Sequence, residues 1–282
     1  MDFQDLRVFV TVARHGNMSQ AAKELNYVQS NVTARIQQLE KELDTSLFDR
    51  HGRGVSLTSP GKELLFYAER ILSLLEEAEQ QVRGSRTPRG SLHIGSTEST
   101  AAVRLPELIH RYHGQYPEVD LHLHTGTSEQ LRDAVSHRRL DAAFVAGSAS
   151  RHELQEIPVF QEDLVVVSHR PDPTWLTQDT TLLVFEKGCA YRTQLEKLLE
   201  KQGITPRCIV EFGSIDAILG CVRAGMGNGV MIHSLMANHP SSGLHCQPLP
   251  SPYNRLNTML IYHRNRWQSP ALKAFIEMFK IT

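Results

Sequence analysis

Between Gln29 and Gln38 the chain interleaves hydroxyl and amide side chains, Ser30, Asn31, Thr33, Gln37 and Gln38, with apolar Val32 and Ile36. A primary amide offers a donor and an acceptor side by side, the pattern that pairs with an adenine edge in a major groove. Hydroxyls and main-chain N–H groups reach phosphate oxygens. Such chemistry needs its polar groups on one side of a rigid rod. Val32, Ile36, Leu39 and Leu43 follow one another at four, three and four residues, so in a helix they form one inward stripe. At about 100° per residue, the face opposite carries Ser30, Ala34 and Gln37, flanked by Asn31, Thr33 and Gln38. An ordinary solvated helix face has the same composition, and this stretch alone leaves both readings open.

The flanking segments decide between them. Ser19 reads as the cap of a short helix ending near Leu25, Asn26 suits the turn, and Gln29 opens the polar helix. A first helix, Gln4 to His15, brings Leu6, Phe9, Val10 and Ala13 to a small core that Met18, Leu25, Val32 and Ile36 complete. Leu47 to Thr58 reads as a β-hairpin with a glycine-containing basic tip. Two helices, a turn and a wing make a winged helix-turn-helix. Residues 1 to 60 closely resemble the DNA-binding domain of the LysR-type transcriptional regulators, through DLRVFVTVARHGNMSQAAKELNYVQSNVTARIQQLEKEL and LFDRHGRGVSLTSPG. They depart from the commonest family pattern at Val28, Ser30 and Ala34, where Ser, Pro and Arg are frequent. Candidate DNA-contacting residues are Ser19, Gln29, Ser30, Asn31, Thr33, Arg35 and Gln37, with Arg50 and Arg53 in the wing gripping backbone.

Charge limits how the head could bind. The 282-residue, 31.8 kDa chain carries a net charge of −1. In residues 1 to 60, Arg7, Arg14, Lys23, Arg35, Lys41, Arg50 and Arg53 are balanced by Asp2, Asp5, Glu24, Glu40, Glu42, Asp44 and Asp49. A global basic signature of nucleic-acid binding is excluded, so phosphate contacts must be local, and two heads per molecule are expected. No signal peptide or long apolar run is seen, and a cytoplasmic protein without membrane contact is expected.

Ser59-Pro60 reads as a helix start. Leu64, Ala68, Ile71, Leu75, Ala78 and Val82 then form a heptad stripe, broadened by Leu65 and Leu72. It is longer than a small head can bury, which points to helix pairing between subunits over residues 60–82; packing on its own chain is the plainer alternative. The family resemblance agrees, since LysR-type regulators dimerise through this helix. Gly84 to Gly90 reads as a hinge.

Beyond Leu92 strands and helices alternate, giving βαβ units and a mostly parallel sheet. The expected class is α/β: a helix-rich winged head (1–58), a linker helix and hinge (59–90), and a two-lobed, Rossmann-like effector domain (91–282). Lobe I is expected at 91–161 plus 267–282 and lobe II at 162–266. This half resembles, more loosely, the family's effector domain, itself built like a periplasmic binding protein. Ligands in such folds sit where strand ends meet helix starts. Ser96, Thr97, Ser99 and Thr100 lie at such a junction and could hold an anion, or simply cap a helix. By position, the resemblance implies that Thr97 and Ser99 match its ligand-holding hydroxyl residues. Glu98 would repel an anion if it faced inward, so either it points out or the ligand carries an amine. Ser128 opens another helix, and Gly147 ends a strand at the crossing between lobes. In the second lobe, Cys189 and Arg192 sit at a strand end and helix start. Arg192 could grip an acidic ligand or be a plain surface residue, and Cys189 could be a low-pKa thiol sensor.

Other signals carry little. Gly225 to Gly229 precedes a strand and is no dinucleotide fingerprint. Four cysteines at 189, 208, 221 and 246 lack metal spacing and fit reduced thiols. The close histidine pairs, His110 with His113 and His122 with His124, have no completing ligand, so no metal site is expected. No catalytic constellation stands out, and the chain is not expected to be an enzyme. The expectation is a homodimeric regulator, within a tetramer, whose partners are double-stranded DNA, a small-molecule effector and, as a candidate, RNA polymerase. No cofactor is expected. The competing reading is a solute-binding receptor whose head contacts protein instead of DNA.

Overall fold

The computed structural model describes all residues except 53, 84–86, 149–150, 172–174, 239–242 and 280–282, with residues 73, 76, 77, 80, 81 and 83 of the long helix described by backbone alone. The chain divides into two compact units, Met1–Arg86 and Thr87–Thr282.

In the first unit, α1 (Phe3–His15) starts from a reciprocal cap between Asp2 and Asp5 and stops at Gly16, whose φ of 59° is left-handed. The next helix, α2 (Met18–Glu24), is capped by Asn17, which accepts from the N–H groups of Ser19 and Gln20. Ser19 is therefore inside the helix and is not its cap. Asn26 turns the chain with φ of 54°, a conformation its short amide tolerates. In α3 (Gln29–Glu42), Val32, Ile36 and Leu39 are buried beneath Phe9 and Val12 of α1. Leu43, expected to extend the stripe, is the exposed C-terminal cap, because the stripe leaves the core at the last turn. The wing is the antiparallel pair β1 (Phe48–His51) and β2 (Gly54–Leu57). Helix α4 (Ser59–Arg83) follows, with the Thr58 hydroxyl accepting the Gly61 N–H at 3.0 Å, so Thr58 is the capping residue where Ser59 was expected. The heptad stripe divides. Ala68 is buried, and Leu64, Leu65, Ile71 and Leu72 pack on the head's own core, whereas Leu75 is half-buried and Ala78 and Val82 are exposed. In its first half the stripe thus packs within its own chain, where α4 meets α1.

The second unit runs β3 (Gly90–Ser96), α5 (Glu98–Val103), α6 (Leu105–Gln115), β4 (Val119–Thr125), α7 (Ser128–Ser136), β5 (Ala142–Ala146), β6 (Leu154–Ser168), β7 (Thr181–Phe185), α8 (Ala190–Gln202), β8 (Cys208–Phe212), α9 (Ile215–Arg223), β9 (Asn228–Ile232), α10 (His233–Asn238), β10 (His245–Pro248), β11 (Arg255–His263) and α11 (Pro270–Glu277). Its sheet has the order β4-β3-β5-β11-β6-β9-β7-β8, with β10 also paired to β6. The groups β4-β3-β5 and β9-β7-β8 are each parallel. Antiparallel β11 and β6 join them.

The two lobes share β6. Its first part, to Asp163, pairs with β11, and its last part, from Leu164, pairs with β9 and β10. Because β11 also pairs with β5 from Thr258 to Tyr262, residues 255–263 belong to lobe I. The return crossing lies near Asn254, not at 266 as the pattern suggested. At the crossing, Glu162 is buried and accepts from Arg104 Nε at 2.8 Å and Ser234 Oγ at 2.7 Å, one partner from each lobe. Each lobe has its own core: Leu92, Ile94, Tyr112, Phe144 and Phe275 in the first, Leu164, Leu183, Leu195, Ile218 and Met231 in the second.

Candidate functional site

Two surfaces place polar groups where they can act. On the head, Gln29, Ser30, Asn31, Ala34 and Gln37 are exposed along one side of α3, and Thr33 is half-buried at its flank. Ser19, on α2, donates from its hydroxyl to Gln29 Oε1 at 2.8 Å, tying the two helices at the turn. Arg50 and His51 are exposed on the wing, and Arg53 lies outside the described residues. Arg35 departs from expectation. Its guanidinium donates to Asp5 Oδ1 at 2.6 Å and lies 3.9 Å from Asp2, so it fastens α3 to the start of α1 and is turned from the polar face.

In the second unit a cavity of about 370 Å³ opens between the lobes. Lobe I contributes Thr97, Glu98, Ser99, Thr125 to Ser128, Gln130 and Ala146; lobe II contributes Phe185, Glu186, Cys189 to Tyr191, Phe212 and Gly213. Every contribution comes from a strand end or helix start. Ser128, at the first position of α7, accepts the Ala146 N–H at 3.0 Å. Gly188, with φ of 93°, lies so close to lobe I that a Cβ there would sit 3.3 Å from Thr127 Oγ1 and Glu129 Oε2.

Hydrogen bonds from Ser99 and Glu98 cross the cleft. Ser99 Oγ and Tyr191 OH are 2.5 Å apart and both side chains are buried; desolvation pushes the Tyr191 phenol upward. Glu98 Oε1 accepts the Ile215 N–H at 3.5 Å, standing in for the cap that Ser214 does not supply to α9. Glu98 therefore faces the cavity, and burial raises its carboxyl above the usual range. Helix α7 is satisfied by its own capping box, Thr127 with Gln130. Helix α8 has no side-chain cap from Cys189, and its start, Cys189 to Tyr191, lines the cavity, with the Cys189 N–H itself given to the Glu186 carbonyl at 3.2 Å.

The cavity is thus lined by Thr97, Ser99, Ser128 and Cys189 of the expected residues. Ser96 and Thr100 are buried behind it, the first donating to the Thr97 carbonyl and the second accepting from the Thr97 hydroxyl. Gly147 serves the crossing: its carbonyl accepts from Arg132 Nη2 at 2.6 Å, and its N–H donates to Asn257 at 2.7 Å. Arg192 is 7% exposed, with its guanidinium on Glu196 at 2.7 Å, Glu211 at 2.8 Å and the Phe185 carbonyl at 3.2 Å. It holds α8 to the sheet and does not reach the cavity. The low-pKa reading of Cys189 also fails, because burial pushes its thiol up. Thr125 to Thr127, Phe185, Glu186, Tyr191, Phe212 and Gly213 were missed, although each sits at the same kind of junction that marked Thr97.

A helix-turn-helix head with a polar outer face, joined in sequence to a two-lobed domain with a ligand-sized cleft, defines a regulator that reads DNA with one unit and a small molecule with the other. Residues 3–62 match the family described as bacterial regulatory helix-turn-helix protein, lysR family, and residues 85–281 match the LysR substrate binding domain. The chain belongs to the LysR-type transcriptional regulators. It is 43% identical to the HTH-type transcriptional regulator GltR of Bacillus subtilis, over 98% of this chain and 95% of that one. It is 40% identical to the HTH-type transcriptional regulator SoxR of Arthrobacter sp., over 99% and 97%. Its fold is shared with full-length CbnR complexed with target DNA (TM-score 0.56, 23% identity, 100% and 99% covered). It is likewise shared with a full-length OxyR variant from Pseudomonas aeruginosa (TM-score 0.66, 22% identity, 99% and 93% covered). The protein-contacting receptor reading is set aside by the head's family match. The family consists of transcription regulators and not enzymes, and no helix of the described residues is long and apolar enough to cross a membrane.

Proposed function

We propose that this regulator reads the major groove with Ser30, Asn31, Thr33 and Gln37, with Ser19 and Gln29 at the groove's edge and the wing's Arg50 and Arg53 on phosphate. In the cleft it binds a small zwitterion, an anionic group joined to an amine. The single observation that carries the effector class is that Glu98 faces the cavity beside an uncapped helix start. The start of α8, with the hydroxyl of Ser128, which accepts the Ala146 N–H and keeps its own proton to give, suits a carboxylate or similar anion. Glu98 and Glu186 suit the amine, while Phe185 and Phe212 provide apolar wall. The second half of α4, where Leu74, Ala78 and Val82 are exposed, is the seam for a second subunit, and paired dimers form the tetramer. The cytoplasm is its compartment.

The test is thermal unfolding of the full chain against a panel of amino acids, amine-free carboxylates and inorganic anions. A ligand present at a hundred times its Kd adds about 2.7 kcal/mol. Stabilisation by amine-bearing carboxylates, and loss of that preference in Glu98→Gln, is expected. Equal stabilisation by amine-free acids refutes the class.

A further inference from the structure

The sheet edge at β4 carries a histidine cluster outside the ligand cleft. His122 and His124 are two residues apart on β4 and so share a face, opposite to that of Leu121 and Leu123, and His93 on β3 is the register partner of His122. The rings of His93 and His122 stack with centroids 4.6 Å apart and planes 9° from parallel. His93 Nδ1 and His124 Nε2 stand 3.4 Å apart. That is long for a nitrogen–nitrogen hydrogen bond. Two imidazole nitrogens on one tetrahedral ion, with bonds of about 2.0–2.1 Å, are roughly 3.3–3.4 Å apart. The spacing is that of a chelating pair whose ion would need little rearrangement to enter.

We propose that His93 Nδ1 and His124 Nε2 form a bidentate site for a divalent transition-metal ion of the zinc type, with water in the remaining positions. Two protein ligands leave the remaining positions to water, so the site is open and its ion exchangeable. The surroundings favour a cation. Asp120 lies beside the cluster with Oδ2 3.1 Å from His122 Nε2, and Asp141 accepts the His93 main-chain N–H at 2.7 Å while also pairing with Arg266. His122 stacks on His93 and fixes its ring plane, a positioning role. The ion would join β3 to β4 just before each strand delivers its cleft residues, Thr97 to Ser99 from one and Thr125 to Ser128 from the other.

The experiment titrates Zn²⁺ into the full chain, its thiols blocked with N-ethylmaleimide so that the exposed Cys208 and Cys246 do not compete, against a chromophoric chelator. One ion per chain is expected. His93→Asn and His124→Asn should each weaken it at least tenfold, and His113→Asn on α6 should leave it unchanged. His124 is exposed, so its variant folds regardless of what His93→Asn does. Wild-type zinc affinity in His124→Asn overturns the site. So does a zinc-induced shift of ring nitrogen resonances confined to histidines other than 93 and 124.

Discussion

Tyr191→Phe removes one oxygen from the bond that crosses the cleft and should reveal what that bond contributes. Ser99 is 3% exposed and Tyr191 5%, and each is the other's partner at 2.5 Å. Deleting the phenol leaves the Ser99 hydroxyl buried without that partner, which costs about 1–3 kcal/mol. Ser99→Ala strands the phenol and should cost a similar amount. The double variant leaves neither group stranded, so its cost should fall short of the sum by about 1–2 kcal/mol. For a unit of this size, Tyr191→Phe should lower Tm by roughly 3–10 °C. Both tryptophans, Trp175 and Trp267, lie in the effector unit, so their fluorescence during urea unfolding follows this unit and not the head. Single effects that add, with coupling below about 0.3 kcal/mol, would refute the bond as a coupled, desolvated contact.

Arg50→Ala should weaken binding to all DNA alike and reduce the salt slope by about 1, whereas Asn31→Ala should relax sequence choice; fluorescence anisotropy at several salt concentrations separates them, and identical behaviour would reject the proposed orientation of α3. Arg192→Met should destabilise the effector unit by about 1–3 kcal/mol in thermal unfolding yet leave ligand affinity unchanged, because its guanidinium is held by Glu196 and Glu211. Leu75→Asp should break the subunit seam, halving the mass seen by light scattering; an unchanged mass moves the seam elsewhere. Glu98 is raised above its ordinary 4.5 by burial, so the stability it contributes is complete below 4.5 and is lost as pH rises through its folded value. Glu98→Gln should flatten that part of the stability–pH profile, and an unaltered slope would show that Glu98 is not desolvated.

Periodic segments were readable because burial writes period into sequence. The inward face of α3 and the run Ala142 to Ala146, all buried, follow from apolar spacing alone. The first part of β6 was not readable. Leu154 to Asp163 contains Pro158, which argues against an inner strand, and the register slips opposite it, between Thr258 and Met259, which accommodates a residue that has no N–H to give. Without that strand the sequence pattern carries the return crossing too far along the chain. At the cleft, sequence marked junctions but could not tell which charged groups were already paired. Arg35 and Arg192 look like free cations in one dimension, and their carboxylate partners come from thirty residues away for Arg35, and from the next helical turn and a neighbouring strand for Arg192. Glu98 was the converse: its ambiguity was stated in sequence, and only its contact with Ile215 decides which way it faces.

The strand shared by both lobes sets the mechanics of the response. Loosely tethered lobes could swing shut like a door, at a cost confined to two free linkers. Here the lobes are leaves of one spring: closing the cleft must twist β6 where Glu162 rivets Arg104 to Ser234.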